Sequence, residues 1–387
     1  MKSINDGLGS PENCSRSQIM MTAALAAAVL CYSLYCAFRF GTARTDFSPD
    51  ETAYIDMARR LIDTHVFSFW GNGADAYVTP GYPLLLAGFM ALFGTGANGL
   101  FAVQLAQALM LSEMVYLTVI LGSRLTGRFA VGMIAGILTA GNFTFQYFAN
   151  HFLTEVPYCF FMMLFFTVLL EAMQRERLRL HFVSGVLFAV AVLIRPLIFV
   201  TLPFYYLPML IRSRCRAWRA PLCFLLGALS LLVPWWIRNL VVLHRFVLFA
   251  TQTNPFFAGI AEDPYGMGHD DPKTIFGNLR LLWAFLCTRP VETLRWMTFE
   301  KFNIIFSNAF GSYHAQAINA FVQKLTVYVG LCGSLCALFR KRLRPATSIF
   351  WIYFVSTFLF VPDARYALQY TPLLAIAAGY LIVSGIE

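Results

Sequence analysis

Asp50 and Glu51 stand side by side just beyond the first membrane-length apolar run, in the segment Pro49-Asp50-Glu51-Thr52-Ala53-Tyr54. Thr79-Pro80-Gly81-Tyr82-Pro83 follows in the same stretch between apolar runs. An acidic pair set just outside a bilayer is placed to act as a general base toward a lipid-bound substrate. On a helix the two side chains point about 100° apart, so one can face substrate while the other faces water or a metal. Asp50 could equally cap the helix it opens, and Asp46 is a third carboxylate one helical turn upstream.

His151 and Glu155 form a second group, in Asn150-His151-Phe152-Leu153-Thr154-Glu155-Val156-Pro157. An imidazole and a carboxylate at i, i+4 can bind a divalent cation or an acceptor hydroxyl. The same residues also read as a plain helix start with Pro157 in its first turn. Asp50 and Glu155 are therefore candidate ligands if a divalent cation is used. Three arginines complete the inventory: Arg195-Pro196 between two short apolar arms, Arg238-Asn239 after Val233-Pro234-Trp235-Trp236-Ile237, and Arg365-Tyr366 within Pro362-Asp363-Ala364-Arg365-Tyr366. One arginine at a helix end is an ordinary anchor. Three on the acidic side of the membrane call for a reason, and anion binding, a phosphate above all, is the simplest.

Other groups carry less. Glu113, with Gln104 and Gln107, lies within a span and suits interhelical hydrogen bonding. The loop with Glu262, Asp263, His269, Asp270 and Asp271 lacks fixed ligand spacing and reads as solvated. The nine cysteines include no CxxC pair, so a structural zinc site is not expected. A GxxxxGK[ST] phosphate loop is missing, as are GxSxG and HExxH.

The elements that must position these residues are membrane helices. The chain has 387 residues, is 58% hydrophobic and only 13% charged, against about 25% charged in a soluble domain. The expected fold is an all-α polytopic membrane protein, a single domain over 1–387 with about ten transmembrane helices and juxtamembrane helices in the first external loop. The apolar runs give spans near 19–38, 98–121, 129–148, 155–171, 181–194, 197–211, 220–237, 319–339, 346–361 and 367–384. The first is long for a signal peptide and has no clear cleavage site, so it reads as a retained helix. Tyr82–Phe93 is too short to span and should lie at the interface or re-enter it.

The net charge of +9 is topological rather than a nucleic-acid footprint, because the basic residues fall in short clusters between apolar runs. Arg124/Arg128, Arg175/Arg177/Arg179, Arg212/Arg214/Arg216/Arg219 and Arg340/Lys341/Arg342/Arg344 belong in the cytoplasm by the positive-inside rule. Both termini are then cytoplasmic. The acidic loops, about 39–97 and 238–318, face outward. An amphipathic helix is expected from Asp50 to Asp63, with Tyr54, Met57, Ala58, Leu61 and Ile62 on its apolar face.

Five pieces, in order, resemble the GT-C superfamily of integral membrane glycosyltransferases, of protein O-mannosyltransferase-like and aminoarabinose transferase-like type (glycosyltransferase family 39). They are Asp50-Glu51 with Tyr54 and Ala58, Pro80-Gly81-Tyr82-Pro83-Leu84, Thr154-Glu155 with Pro157, Arg195-Pro196, and Pro234-Trp235 with Arg238-Asn239. Arg365-Tyr366 with Pro372 resembles the family's late helix.

The resemblance implies a polyprenyl-phosphate-linked sugar as donor, and transfer at the outer face of a bacterial inner membrane or the equivalent lumenal face. It makes Asp50 the base. It leaves open a glycan, lipid or protein as acceptor. Family members often carry a large soluble C-terminal domain, whereas no separate soluble domain is expected here. The aminoarabinose transferases' lysine near the PGYP position has no counterpart.

The expected site thus has Asp50 and Glu51 as catalytic carboxylates and Arg238, Arg365 and Arg195 on the donor phosphate. Tyr54, Tyr82, His151, Glu155, Asn239 and Tyr366 lie around substrate and acceptor. The rival reading is a transporter or flippase for a lipid-linked or anionic substrate. That reading would place charged sites at the midplane within inverted repeats, and neither pattern is visible.

Overall fold

A segment rich in Leu, Phe, Ala and Val finds no water partners for its backbone inside a bilayer, and the α-helix satisfies its N–H and C=O groups internally. The described chain is accordingly helical. The computed structural model describes residues 15–41, 44–212, 217–252, 254–261, 272–307, 309, 311, 313 and 315–386.

Helix α1 (Arg16–Cys36), capped by Ser15 and Gln18, continues through a π-turn to Gly41. The first loop carries α2 (Pro49–Thr64) and α3 (Gly81–Phe93). Then come α4 (Ala97–Thr126), α5 (Phe129–Ala140), α6 (Thr144–Ala149), α7 (Glu155–Arg175), α8 (Leu178–Ile194), α9 (Leu202–Arg212) and α10 (Arg219–Leu243). A second region of short helices, α11 (Asn254–Ile260), α12 (Ile275–Thr288), α13 (Pro290–Arg295) and α14 (Lys301–Phe306), precedes α15 (Gln316–Leu338), α16 (Arg344–Ser356) and α17 (Thr371–Ile386).

Among the described residues, five helices are long and apolar enough to cross a membrane: Arg16–Gly41, α4, α7, α10 and α15. Apolar helices of 10–17 residues cover most of the other expected spans, including α5, α8 and α17. The protein is an integral membrane protein, and the expected spans, about ten, resolve into this mixture of long and short helices. The expected span 129–148 shows why. Asn142 stops α5, accepting from the Thr144 N–H (3.2 Å) and donating to Gln323 Oε1 on α15 (2.5 Å), so the chain restarts as α6.

α4 is the hub, packed against α1, α3, α5, α7 and α17, while α8 lies between α7 and α10. Two close approaches fix the frame. A Cβ at Gly185 would meet the Phe224 carbonyl oxygen at 1.9 Å, so α8 and α10 cross nearly backbone to backbone. A Cβ at Gly81 would lie 2.7 Å from the Leu193 carbonyl, which explains the glycine in the PGYP turn.

The bundle's two ends differ in chemistry. At one end Arg124 and Arg175 both pair with Glu171 (3.2 and 2.9 Å), and Arg342 donates to the Arg124 carbonyl (3.1 Å). At the other end gather α2, the α6–α7 turn, the end of α8 and the approach to α17. The Glu262–Asp271 loop residues lie outside the described residues.

Candidate active site

Ser48, not Asp50, caps α2. Its hydroxyl accepts from the Glu51 N–H, and the Glu51 carboxylate accepts from the Ser48 N–H (2.9 Å). This reciprocal capping box leaves the Asp50 side chain free of the capping role that sequence allowed it.

Glu51 points inward and is 1% exposed. Arg44 grips it with both terminal nitrogens (2.9 and 2.8 Å), and the Phe152 N–H donates to it at 3.0 Å. Burial alone would raise its pKa. The hydrogen bonds from Arg44, Ser48 and Phe152 outweigh that and hold it below its ordinary value. Arg44 also donates to the carbonyls of Asn150 (2.7 Å) and Asp46 (3.1 Å). The pair thereby clamps the start of α2 to the α6–α7 turn.

Asp50 points outward, its side chain 53% exposed, and meets Arg365 at 3.0 Å. Arg365 is shared among carboxylates. It lies 3.1 Å from Asp363 and 3.9 Å from Glu155. Burial disfavours its charge, but Glu155, Tyr366, Asp363 and Asp50 more than compensate, and the guanidinium is held above its ordinary pKa.

Glu155, at the first position of α7 and 1% exposed, takes Arg195 at 2.5 Å. Arg195 also donates to the Thr154 hydroxyl (2.7 Å). The second oxygen of Glu155 is buried without a hydrogen-bond partner among the described residues. The Tyr366 ring carries both guanidinium groups, Arg195 at 5.2 Å and Arg365 at 5.4 Å.

A cavity of ≈ 590 Å³ opens over these residues. Asp50, Arg365 and Asp363 line it together with Arg44, Glu51, Asp46 and His151. Its aromatic side is built from Phe40, Tyr313, Tyr147 and Phe148. His151 stacks on Tyr147 with ring centroids 3.9 Å apart, and its Nδ1 lies 2.7 Å from the Tyr147 carbonyl oxygen. A carbonyl only accepts, so Nδ1 carries the proton and Nε2 keeps its lone pair. Burial lowers the His151 pKa, the Arg44 charge adds to that, and Glu51 partly opposes it.

The remaining expected residues lie outside the cavity lining. Tyr54 packs edge-on against Tyr82 at 5.2 Å, and burial raises its pKa. Tyr82 donates to Gln107 (3.1 Å), whose amide donates to the carbonyls of Ala149 and His151 (2.9 Å each).

Arg238 does not line the cavity. It donates to the carbonyls of Asp75 (2.6 Å) and Phe67 (3.0 Å) and to the Asn239 side chain (2.9 Å), and so pins the first loop. Asn239 is buried beneath it. As cation ligands, Asp50 and Glu155 are each committed to an arginine, and among the described residues no group of three or more His, Cys, Asp or Glu is placed to hold a metal ion.

Arg44 is the site residue that sequence reasoning passed over. Like Arg195, Arg238 and Arg365 it falls on the acidic side of the membrane by the positive-inside rule, and that same anomaly marks it.

Residues 77–237 match the family described as dolichyl-phosphate-mannose-protein mannosyltransferase. No curated protein matches the chain. Among solved structures, ArnT from Cupriavidus metallidurans bound to undecaprenyl phosphate is similar at 15% identity and a TM-score of 0.52, over 95% of this chain and 60% of that one. The archaeal oligosaccharyltransferase AglB from Archaeoglobus fulgidus, in complex with an inhibitory peptide and a dolichol-phosphate, is similar at 13% identity and a TM-score of 0.54, over 96% and 51%. The chain thus spans less than two thirds of either protein. The resemblance read from the residues is borne out by the family match and by the shared fold.

Proposed function

We propose, from the premise of an integral membrane protein with the GT-C fold, that this chain is a glycosyltransferase. It moves a monosaccharide from a polyprenyl-phosphate-linked donor to an acceptor hydroxyl. The observation that carries the reading is an exposed carboxylate, Asp50, set 3.0 Å from a half-buried guanidinium, Arg365, in a cavity at one end of the helix bundle. That ArnT binds undecaprenyl phosphate and AglB a dolichol-phosphate supports the donor class.

The donor phosphate rests against Arg365, with Arg195 behind it on Glu155. Asp50 takes the proton of the acceptor hydroxyl. The acceptor oxygen forms a bond to the anomeric carbon as the bond from that carbon to the phosphate oxygen breaks. Attack opposite the leaving group inverts the anomeric centre. The polyprenyl phosphate leaves with its added negative charge facing the guanidinium groups, which stabilise that charge more in the transition state than in the ground state. His151 and the aromatic side of the cavity receive the acceptor, a glycan, lipid or protein. The charge asymmetry of the ends supports a cytoplasmic Arg124–Arg175–Arg342 end and a cavity on the outer face, in keeping with a bacterial inner membrane.

The test uses purified protein in detergent with a panel of polyprenyl-phosphate monosaccharides. Consumption of one donor, with release of polyprenyl phosphate, is expected without a sealed compartment. Activity seen only across a closed bilayer would make the protein a transporter instead.

A further inference from the structure

Of the four arginines described above, Arg44 and Arg365 line the cavity, and three of the four are committed. Arg44 is held bidentate by Glu51. Arg195 is spent on Glu155 and Thr154, and Arg238 on two carbonyls and Asn239. Arg365 differs. It holds Asp50 through a single Nη2 hydrogen bond, its Nε faces Asp363 at 3.1 Å without hydrogen-bond geometry to any described residue, and Asp50 is the most exposed carboxylate it contacts. The cation most open to an incoming phosphate is therefore the one resting on the carboxylate that must act as base.

We propose that Asp50 and the donor phosphate compete for the Arg365 guanidinium, so that donor binding releases Asp50 to act on the acceptor. The proposal rests on the glycosyltransferase reading above. Without donor, the Asp50–Arg365 pair is a resting contact in which the base is neutralised. A phosphate offers Arg365 two oxygens in fork geometry where Asp50 engages one nitrogen. Once Asp50 takes up the acceptor proton it carries no charge and stops competing, just as the leaving phosphate gains charge. Proton uptake and leaving-group stabilisation are thereby coupled through one side chain.

Competition makes an unusual demand: removing the base must tighten phosphate binding. Titration of purified protein in detergent with a polyprenyl monophosphate reads this directly. Asp50→Asn is expected to bind about two- to fivefold tighter than wild type, the range an exposed ion pair can withhold. In an Arg365→Ala background the same change is expected to do nothing, with Arg365→Gln as a second background in case the alanine variant folds poorly. Asp46→Asn removes the same charge from the same cavity without touching Arg365 and is expected to shift affinity far less. If wild type binds and Asp50→Asn binds equally or more weakly, the competition is overturned and the donor reading stands. Equal tightening by Asp46→Asn, or tightening that survives loss of Arg365, reduces the effect to general charge and also overturns it. If wild type binds no polyprenyl phosphate, the donor reading falls and the competition falls with it.

Discussion

Asp50 and Arg365, 315 residues apart in the chain, meet at 3.0 Å across the mouth of the cavity. Asp50's neighbour Glu51 turns the other way, into Arg44 and the core. Adjacent positions on α2 are about 100° apart around the axis, and the fold uses that angle to give the two carboxylates separate duties. In the proposed mechanism Glu51 builds and Asp50 reacts. The duties can be separated by mutation, because one variant should damage chemistry and the other stability.

Asp50→Asn keeps the shape of the side chain and removes its basicity. Transfer is expected to slow by about 10²–10⁴. Stability should fall by no more than ~0.3–1 kcal/mol, from the lost interaction of a charge with the start of α2. Turnover of the lipid-linked sugar together with a thermal melt measures both. Near-normal turnover would assign the base elsewhere in the cavity.

Glu51→Gln should do the reverse. The variant leaves Arg44 short of a counter-charge in a buried setting, at a cost of about 3–5 kcal/mol. The pH dependence follows from the direction of the shift. Glu51 has a lowered pKa in the fold. Its stabilisation is complete above the ordinary carboxylate value of about 4.3 and disappears as pH falls through the lower folded value. Melts across the acid range should show this loss in wild type and not in the variant.

His151 presents an acceptor nitrogen because Nδ1 is tied to the Tyr147 carbonyl. In His151→Asn the amide nitrogen can keep that tie while the free lone pair at Nε2 is lost. The expected outcome is an unchanged melt and unchanged donor affinity, with KM for the acceptor raised about fivefold, the loss of roughly one hydrogen bond. Burial lowers the His151 pKa, so the imidazole charges only below its ordinary value of about 6.5. The acid limb of the wild-type pH profile for acceptor binding should lie below that value and be missing from the variant. An identical KM in both proteins would remove His151 from acceptor binding.

Much of this was legible in sequence, and what was not has a physical cause. The carboxylates, His151 and the arginines were marked by type and by their side of the membrane. Their pairing was hidden, since whether Asp50 or Glu51 stays exposed depends on which one Ser48 uses for its cap. Arg238 shows the limit of a charge argument. An arginine at an interface satisfies itself equally well with carbonyl oxygens, and here it chooses Asp75 and Phe67. Spans 129–148 and 346–361 read as single helices because hydropathy is blind to Asn142, which breaks the first, and to the 3₁₀ turn Thr357–Leu359 that ends the second.

Lys301, outside the cavity, offers a test of how the Arg365 approach is held. It is fully buried at the start of α14 and donates to the carbonyls of Phe358 and Phe360 (3.1 Å for the latter), just ahead of Asp363 and Arg365. Burial lowers its pKa to about 7. An unfolded chain would keep that proton up to about 10.4. Between those values the unfolded state binds more protons than the folded one, so stability rises with pH across the window. Below about 7 both states are charged, and the folded state bears the cost of a buried ammonium. Lys301→Met removes the titration and also the donor to both carbonyls. Thermal melts from pH 6 to 10 should therefore rise for wild type. The variant should lack the part of that rise due to Lys301, so it falls furthest behind wild type at high pH and the gap narrows toward pH 6. A gap of constant size would mean that Lys301 stays charged in the fold throughout the range.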